Sequence, residues 1–363
     1  MNTLQKTNRP LILLAILMFA YCLPALAKDL EYSKRKEINK SFNVSMSDLL
    51  QADNRYGNIT VSYWDKKEAA FRIVIEAKSN DESKAQANLD RVEINLTKSG
   101  STVSAITNLK EVKSSFWGDW GDGNNNRLTI QYYINIPNGL AMDLTQKYGN
   151  IDLPRDNKGK CNLHVKYGNL AGGNFKGDVE IEAKYSNVNL GDLANADIDL
   201  GYAGSTVIGN ADELTIDSKY SNLEIQNVKR LTLEKKYGNL KANAVDKANL
   251  EIKYSDITIQ SVNDELIVSS LSYSSLNVKE LSDRFKKVNV SARYGNLTLA
   301  IPEHTAFTVK ADNMKYGDFS IKGFNITNSE KTNSNYRSEI NKGGEQTIYF
   351  DGNGYSNLKI KAK

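Results

Sequence analysis

The sequence predicts an all-β protein built as a β-solenoid. Three observations carry this: a tyrosine that returns every 17 to 22 residues, two apolar columns at fixed offsets from it, and turn residues between those columns. The tyrosines are Tyr148, Tyr167, Tyr185, Tyr202, Tyr220, Tyr237, Tyr254, Tyr273, Tyr294 and Tyr316. So regular a period marks stacked units, each too small to bury an apolar face alone.

Four residues before the tyrosine stand Leu144, Leu163, Ile181, Ile198, Ile216, Leu233, Leu250 and Val290, and only the Tyr273 and Tyr316 coils break the column. Three residues after it stand Ile151, Leu170, Val188, Leu223, Leu240, Ile257, Leu276, Leu297 and Phe319, with Ser205 the exception. Side chains alternate along a strand with period two, so two inward columns of different parity require a corner between them. Gly149, Gly168, Gly238, Gly295 and Gly317, or Ser186, Ser221, Ser255 and Ser274, sit at that corner. Glycine accepts positive φ, and the Asn or Asp that follows can bond its own backbone, so the corner chemistry is that of a turn. Each coil is thus strand, corner, strand and variable loop, and stacking at ~4.8 Å predicts ladders of Tyr and Asn.

The flanking elements follow in order. Lys6 and Arg9, the apolar run Leu11 to Leu23 and the small-residue site Ala25-Leu26-Ala27 predict a secretory leader over residues 1–27. Cys22 is preceded by the large Tyr21, which argues against lipid attachment. Residues 28–135 predict an N-terminal β cap: an early corner at Tyr56-Gly57-Asn58, long alternating runs at 71–77, 91–97 and 127–137, and a short capped helix between Asn80 and Asp90. Residues 136–323 hold the repeats. Residues 324–363 predict a polar mobile loop, Asn328 to Glu345, and a last capping coil at Tyr355-Ser356-Asn357-Leu358.

A leader, a larger first repeat with an inserted helix, and many Lys-Tyr-Gly-Asn or Lys-Tyr-Ser-Asn coils resemble the adhesin-candidate family of exported β-strand-repeat proteins from Bacteroidota-type bacteria. The resemblance covers nearly the whole chain after residue 27. It implies a non-enzymatic cell-envelope or surface protein, periplasmic or facing outward, and brings no catalytic residues with it.

Composition narrows the chemistry. The net charge of +4, from 47 basic and 43 acidic residues, drops by two when Lys6 and Arg9 leave with the leader, a balance that argues against nucleic acid as partner. Only Cys161 would remain, so no intrachain disulfide is available. No apolar run after the leader is long enough to cross a bilayer as a helix. No cofactor is called for.

The position before the tyrosine is basic in eight of ten coils: Lys147, Lys166, Lys184, Lys219, Lys236, Lys253, Arg293 and Lys315. One expectation is a track for an anionic envelope polymer, since clustered fixed charge concentrates counter-ions. The other is an ion-pair lattice, because Glu182, Asp199, Asp217, Glu234 and Glu251 form a parallel column two residues away. Lys147, Lys166, Arg293 and Lys315 lack that acidic partner and are the better binding candidates. The carboxylate column has the close spacing of a retaining glycosidase pair, yet most of its members sit beside a lysine that favours the ionised form, so it supplies no proton donor. His164 and His304 stand far apart on outward positions, and Cys161 falls on an inward one.

The segment Ser114 to Asn126 carries Phe116, Trp117 and Trp120 among Gly and Asn. Such rings can stack on a sugar or protein surface, or can cover the open end of the core. Its Asp and Asn residues fail the EF-hand pattern, with Arg127 where Gly and Tyr133 where Glu would stand. The candidate partners are therefore an envelope polysaccharide or a surface protein, with no metal.

Overall fold

The computed structural model describes residues 32–110 and 126–363. Among these the chain is nearly all β, with one helix, Glu82–Asp90, and strands that join in a single sheet system. The predicted leader, Cys22 and the Phe116, Trp117 and Trp120 segment lie outside the described residues.

Strands that precede successive tyrosines pair parallel and in register. Leu49–Arg55 lies on Ala141–Lys147, then Cys161–Lys166, Val179–Lys184, Leu193–Gly201 and Ala211–Lys219 follow. Strands that follow the tyrosines stack likewise, from Ile59–Trp64 onto Ile151–Asp152, Asn169–Ala171, Asn187–Leu190 and Thr206–Ile208. The same pairing continues through Leu223–Ser272, which contains the corners at Tyr237 and Tyr254. Both predicted apolar columns are buried through the repeats, from Leu144 to Val290 and from Ile151 to Leu297.

The breaks in those columns are insertions. Beside Val188 the inward position is taken by Thr206, because the corner after Tyr202 is one residue longer, which leaves Ser205 outside. Before Tyr273 a bulge between Val268 and Leu271 brings Val268 beside Val290. Before Tyr316, Ala311 occupies the column beside Phe350, ahead of a left-handed residue at Asn313. A bulge adds a residue to one strand and restores the alternation beyond it.

The corner is built differently from the expectation. Tyrosine, not glycine, takes the left-handed conformation, with φ between +50° and +62° at all ten corners from Tyr56 to Tyr294, although this region costs a residue with a Cβ about 1–2 kcal/mol. The next residue is small for want of room. A Cβ on Gly149 would lie 1.5 Å from the Gly57 carbonyl oxygen, and one on Gly168 1.8 Å from that of Gly149. Where serine stands instead, its buried Oγ is a rivet: Ser221 donates to Lys219 O and accepts from Ala203 N at 2.9 Å each. The following Asn bonds its neighbour in the stack and not its own turn, as in Asn169 N to Asn150 Oδ1 at 2.9 Å and Asn239 N to Asn222 Oδ1 at 3.0 Å.

The first layer is wider. Thr102–Leu109 pairs with Leu49–Arg55 and extends one face through Val92–Ser99. The other face extends from Ile59–Trp64 through Asn126–Pro137, Glu68–Ser79 and Tyr32–Asn43. The helix follows Asp81, whose carboxylate accepts from the Ser83 and Lys84 amides, an N-cap that satisfies otherwise unpartnered donors. A buried polar cluster joins layer to repeats: Asn54 donates to Ile130 O and Gln146 Oε1, and Thr107 bonds Asn54 Oδ1 and the Tyr132 hydroxyl.

The C-terminal end corrects two expectations. The polar stretch after Asn328 is an ordered hairpin, Ile326–Thr332 against Asn335–Ile340, and the latter pairs antiparallel with Phe307–Asp312. Ser338 and Ile340 are buried, and Tyr336 meets Phe319 at 4.8 Å between ring centroids. Nor is the Tyr355 coil the last of the stack. Gln346–Asn353 lies between Lys287–Arg293 and Phe307–Asp312, and Asn357–Ala362 lies between Asn296–Ile301 and Phe319–Lys322. Residues 346–363 are inserted between the Tyr294 and Tyr316 repeats.

Candidate functional site

Repetition of the corner lines up ten tyrosines, Tyr56 to Tyr294, as one ridge, which Tyr355 and Tyr316 extend. From Tyr56 to Tyr294 successive rings stack at 4.6 to 5.3 Å between centroids and within 16° of parallel. The ridge loosens at Tyr355, 6.3 Å from Tyr294 and tilted by 26°. Because each ring is stacked on the next, the ridge offers mainly ring edges and hydroxyls to solvent. Aromatic stacking adds about 0.5–1.5 kcal/mol per pair and offsets the left-handed backbone of each tyrosine.

The basic stripe runs beside the ridge, and the pairing register places Arg55, Lys147, Lys166, Lys184, Gly201, Lys219 and Lys236 in one line. In the middle it is neutralised. Lys219 bonds Asp217 at 2.9 Å, Lys236 bonds Glu234 and Lys253 bonds Glu251 at 2.5 Å each, and Lys184 pairs with Glu182. Hydrogen bonds from Lys184 and Lys236 hold the Glu182 and Glu234 carboxyls below the usual range, against a catalytic proton donor in this column.

The four cations singled out from sequence do not form one cluster. Lys147 and Lys166 are neighbours, and each ammonium lies over its own tyrosine ring, at 5.1 and 5.3 Å from the centroid, with no carboxylate partner among the described residues. Lys315 lies over Tyr316 in the same way at 5.1 Å. Arg293 is paired in register with Ser272 and Asn353, so the inserted segment separates it from the Lys315 repeat. The aromatic candidates Phe116, Trp117 and Trp120 lie outside the described residues.

The remaining titratable groups are local. His164 meets Glu182 at 3.4 Å, and His304 meets Asp283 at 3.3 Å on the surface. Cys161 is buried, and burial pushes its thiol up to about 12, the behaviour of a small core side chain. Among the described residues no cluster of three His, Cys, Asp or Glu could hold a metal ion, and no helix is long and apolar enough to cross a membrane, which leaves strands undecided.

Two features were not singled out from sequence. Lys235 is fully buried, two residues before Tyr237, and its ammonium donates to Ser221 O at 2.6 Å, Tyr237 O at 3.0 Å and Ser218 Oγ at 3.2 Å. Burial pushes it down to about 8. A lysine at an inward position was the visible signal. At the opposite corner a second ladder runs Asn174, Asp192, Asn210, Asn227 and Asn243, joined by side-chain bonds such as Asn227 to Asn210 at 2.7 Å. It edges an open groove of 710 Å³ whose floor includes Phe175, Leu193 and Val228.

No family model and no curated protein matches the chain. Among solved structures it is similar to a candidate adhesin from Parabacteroides distasonis, 12% identical over 89% of this chain and 97% of that one, with a TM-score of 0.36. A candidate adhesin from Parabacteroides merdae is 10% identical over 90% and 96%, with a TM-score of 0.32. A candidate lipid-binding protein, again from Parabacteroides distasonis, is 12% identical over 89% and 96%, with a TM-score of 0.29. Likeness at this level assigns no function, which rests on the chain's own ridge, stripe and groove.

Proposed function

We propose that the chain is a non-enzymatic, adhesin-type protein of the bacterial envelope, exported to the periplasm or cell surface. Its repeats, over residues 136–323, form a β-solenoid that presents a rigid periodic surface to a polysaccharide or a surface protein. The observation that carries this is the unbroken tyrosine ridge from Tyr56 to Tyr294. A surface repeated at the inter-strand spacing suits a polymeric partner, because weak contacts recur and add as avidity. Phe116, Trp117 and Trp120, within residues 28–135 of the sequence, are proposed as a further contact for such a partner.

The test is an array of envelope polysaccharides and their short fragments, read alongside assays for released product. Retention that grows with polymer length is expected, without cleavage. Retention of neither polymers nor envelope proteins would end this reading. Product release abolished by Glu234→Gln would replace it with an enzyme.

A second reading, a module that binds envelope polyanions, is favoured by Lys147 and Lys166, which are adjacent and, among the described residues, have no carboxylate partner. Asp53 and Asp143 share their face, so the site would be small. It predicts salt-sensitive retention on lipopolysaccharide that the double variant Lys147→Gln/Lys166→Gln weakens at least tenfold, with Arg293→Gln and Lys315→Gln contributing less. Salt-independent retention would exclude it.

A further inference from the structure

The segment 346–363 fills a slot whose walls are both made earlier in the chain. Its strands are hydrogen-bonded on each side, and its apolar residues complete the columns: Ile348 between Val288 and Val309, Phe350 between Val290 and Ala311, Leu358 between Leu297 and Phe319, Ile360 between Leu299 and Ile321. Without it, two ladders of unpaired backbone groups and two apolar stripes would face one another across the gap. Such an edge is a ready template for another strand.

The slot is cut for this segment. Ser356 Oγ accepts from Gly295 N at 3.2 Å and donates to Asn353 O at 2.6 Å, while Asn357 donates to Asn296 Oδ1 at 2.6 Å and accepts from Asp318 N at 2.8 Å. The Lys363 ammonium closes on Glu280, and the Lys363 amide bonds Ile301 O. Any occupant must therefore carry the same pattern of inward apolar residues, corner serine and asparagine, which a second copy of this chain does.

The hinge into the segment is short and tightly turned. Asn341, Lys342 and Gly343 are consecutively left-handed, at φ of 50°, 73° and 72°. Short strained hinges favour exchange of an element between copies, and exchange costs little because every contact is remade in the partner. From these observations we propose that residues 346–363 are an exchangeable closing segment, and that the slot between the Tyr294 and Tyr316 repeats takes the same segment of a second copy, joining two molecules through that slot. The proposal stands independently of what the ridge binds.

Thr298 and Lys359 face each other outward across this pairing. Full-length chains carrying Thr298→Cys or Lys359→Cys, each with Cys22→Ala and Cys161→Ala, are mixed unfolded, refolded at a high and a hundredfold lower concentration, and treated with a short thiol cross-linker. Exchange predicts a covalent dimer of one chain of each kind, at least tenfold more abundant after concentrated refolding. The double variant, refolded dilute, links within one chain. No mixed dimer at any concentration, with the double variant still linking internally, would overturn the proposal. A double variant that fails to link internally would remove the slot itself.

Discussion

The repeats from Tyr56 to Tyr167 and those from Tyr185 to Tyr254 share one backbone path but solve it with different chemistry. The first group has glycine after each tyrosine and packs backbone against backbone, Gly57 to Gly149 to Gly168. The second mostly has serine, whose Oγ ties neighbouring repeats, as Ser186 does by accepting from Gly168 N at 3.3 Å. The same division appears in the charges. Lys147 and Lys166 lie over tyrosine rings, whereas Lys184, Lys219, Lys236 and Lys253 are ion-paired. The middle is thus locked and neutral, whereas Lys147 and Lys166 have no carboxylate partner among the described residues.

The largest effect expected from breaking this division is at a glycine corner. Gly149→Ala sets a Cβ against fixed backbone and should cost about 3 kcal/mol in urea unfolding. Gly201→Ala, whose Cβ would meet only the Lys184 side chain at 3.4 Å, should be near neutral.

Lys235 tests the exception in the middle group, where Gly238 stands in place of serine at a φ of 111° and the buried ammonium reaches the carbonyls of Ser221 and Tyr237. Its folded value, about 8, lies below its ordinary 10.5, so between these limits the unfolded chain binds more protons and stability rises with pH. Below pH 8 the contribution is lost. The stability difference between the native chain and Lys235→Met, measured by denaturation at pH 7 and pH 10.5, should shift in favour of the native chain by on the order of 3 kcal/mol.

The smallest effect is at a serine corner. Ser221→Gly removes one acceptor for the Ala203 amide and should cost about 1 kcal/mol, with faster hydrogen exchange at Ala203.

The period, both apolar columns and the helix were legible because burial enforces them. Leu144, Ile181 and Leu233 point inward whatever surrounds them. The left-handed tyrosines were not legible, since local sterics assign positive φ to glycine, and only stacking repeated over many neighbours overrides that preference. The hairpin at Asn335–Ile340 was hidden by its exposed partner Ile326–Thr332, which carries no alternation. The site was less legible than the fold. Which cations are ion-paired could be read from the acidic column two residues away, but the separation of Arg293 from Lys315 could not. The Tyr294, Tyr316 and Tyr355 coils share the same column chemistry, so nothing local ranks one stacking order above another.

That shared chemistry has a consequence for how the molecule is made. A stack growing from its first layer can add repeats in chain order as far as Tyr294. The Tyr316 repeat, synthesised next, then meets an edge suited to it but reserved for residues 346–363. It must wait or be displaced, so these repeats cannot mature until residues 346–363 are available. Arrival of residues 346–363 becomes a checkpoint, and a chain cut before them is expected to pair the Tyr316 strands directly onto those of Tyr294.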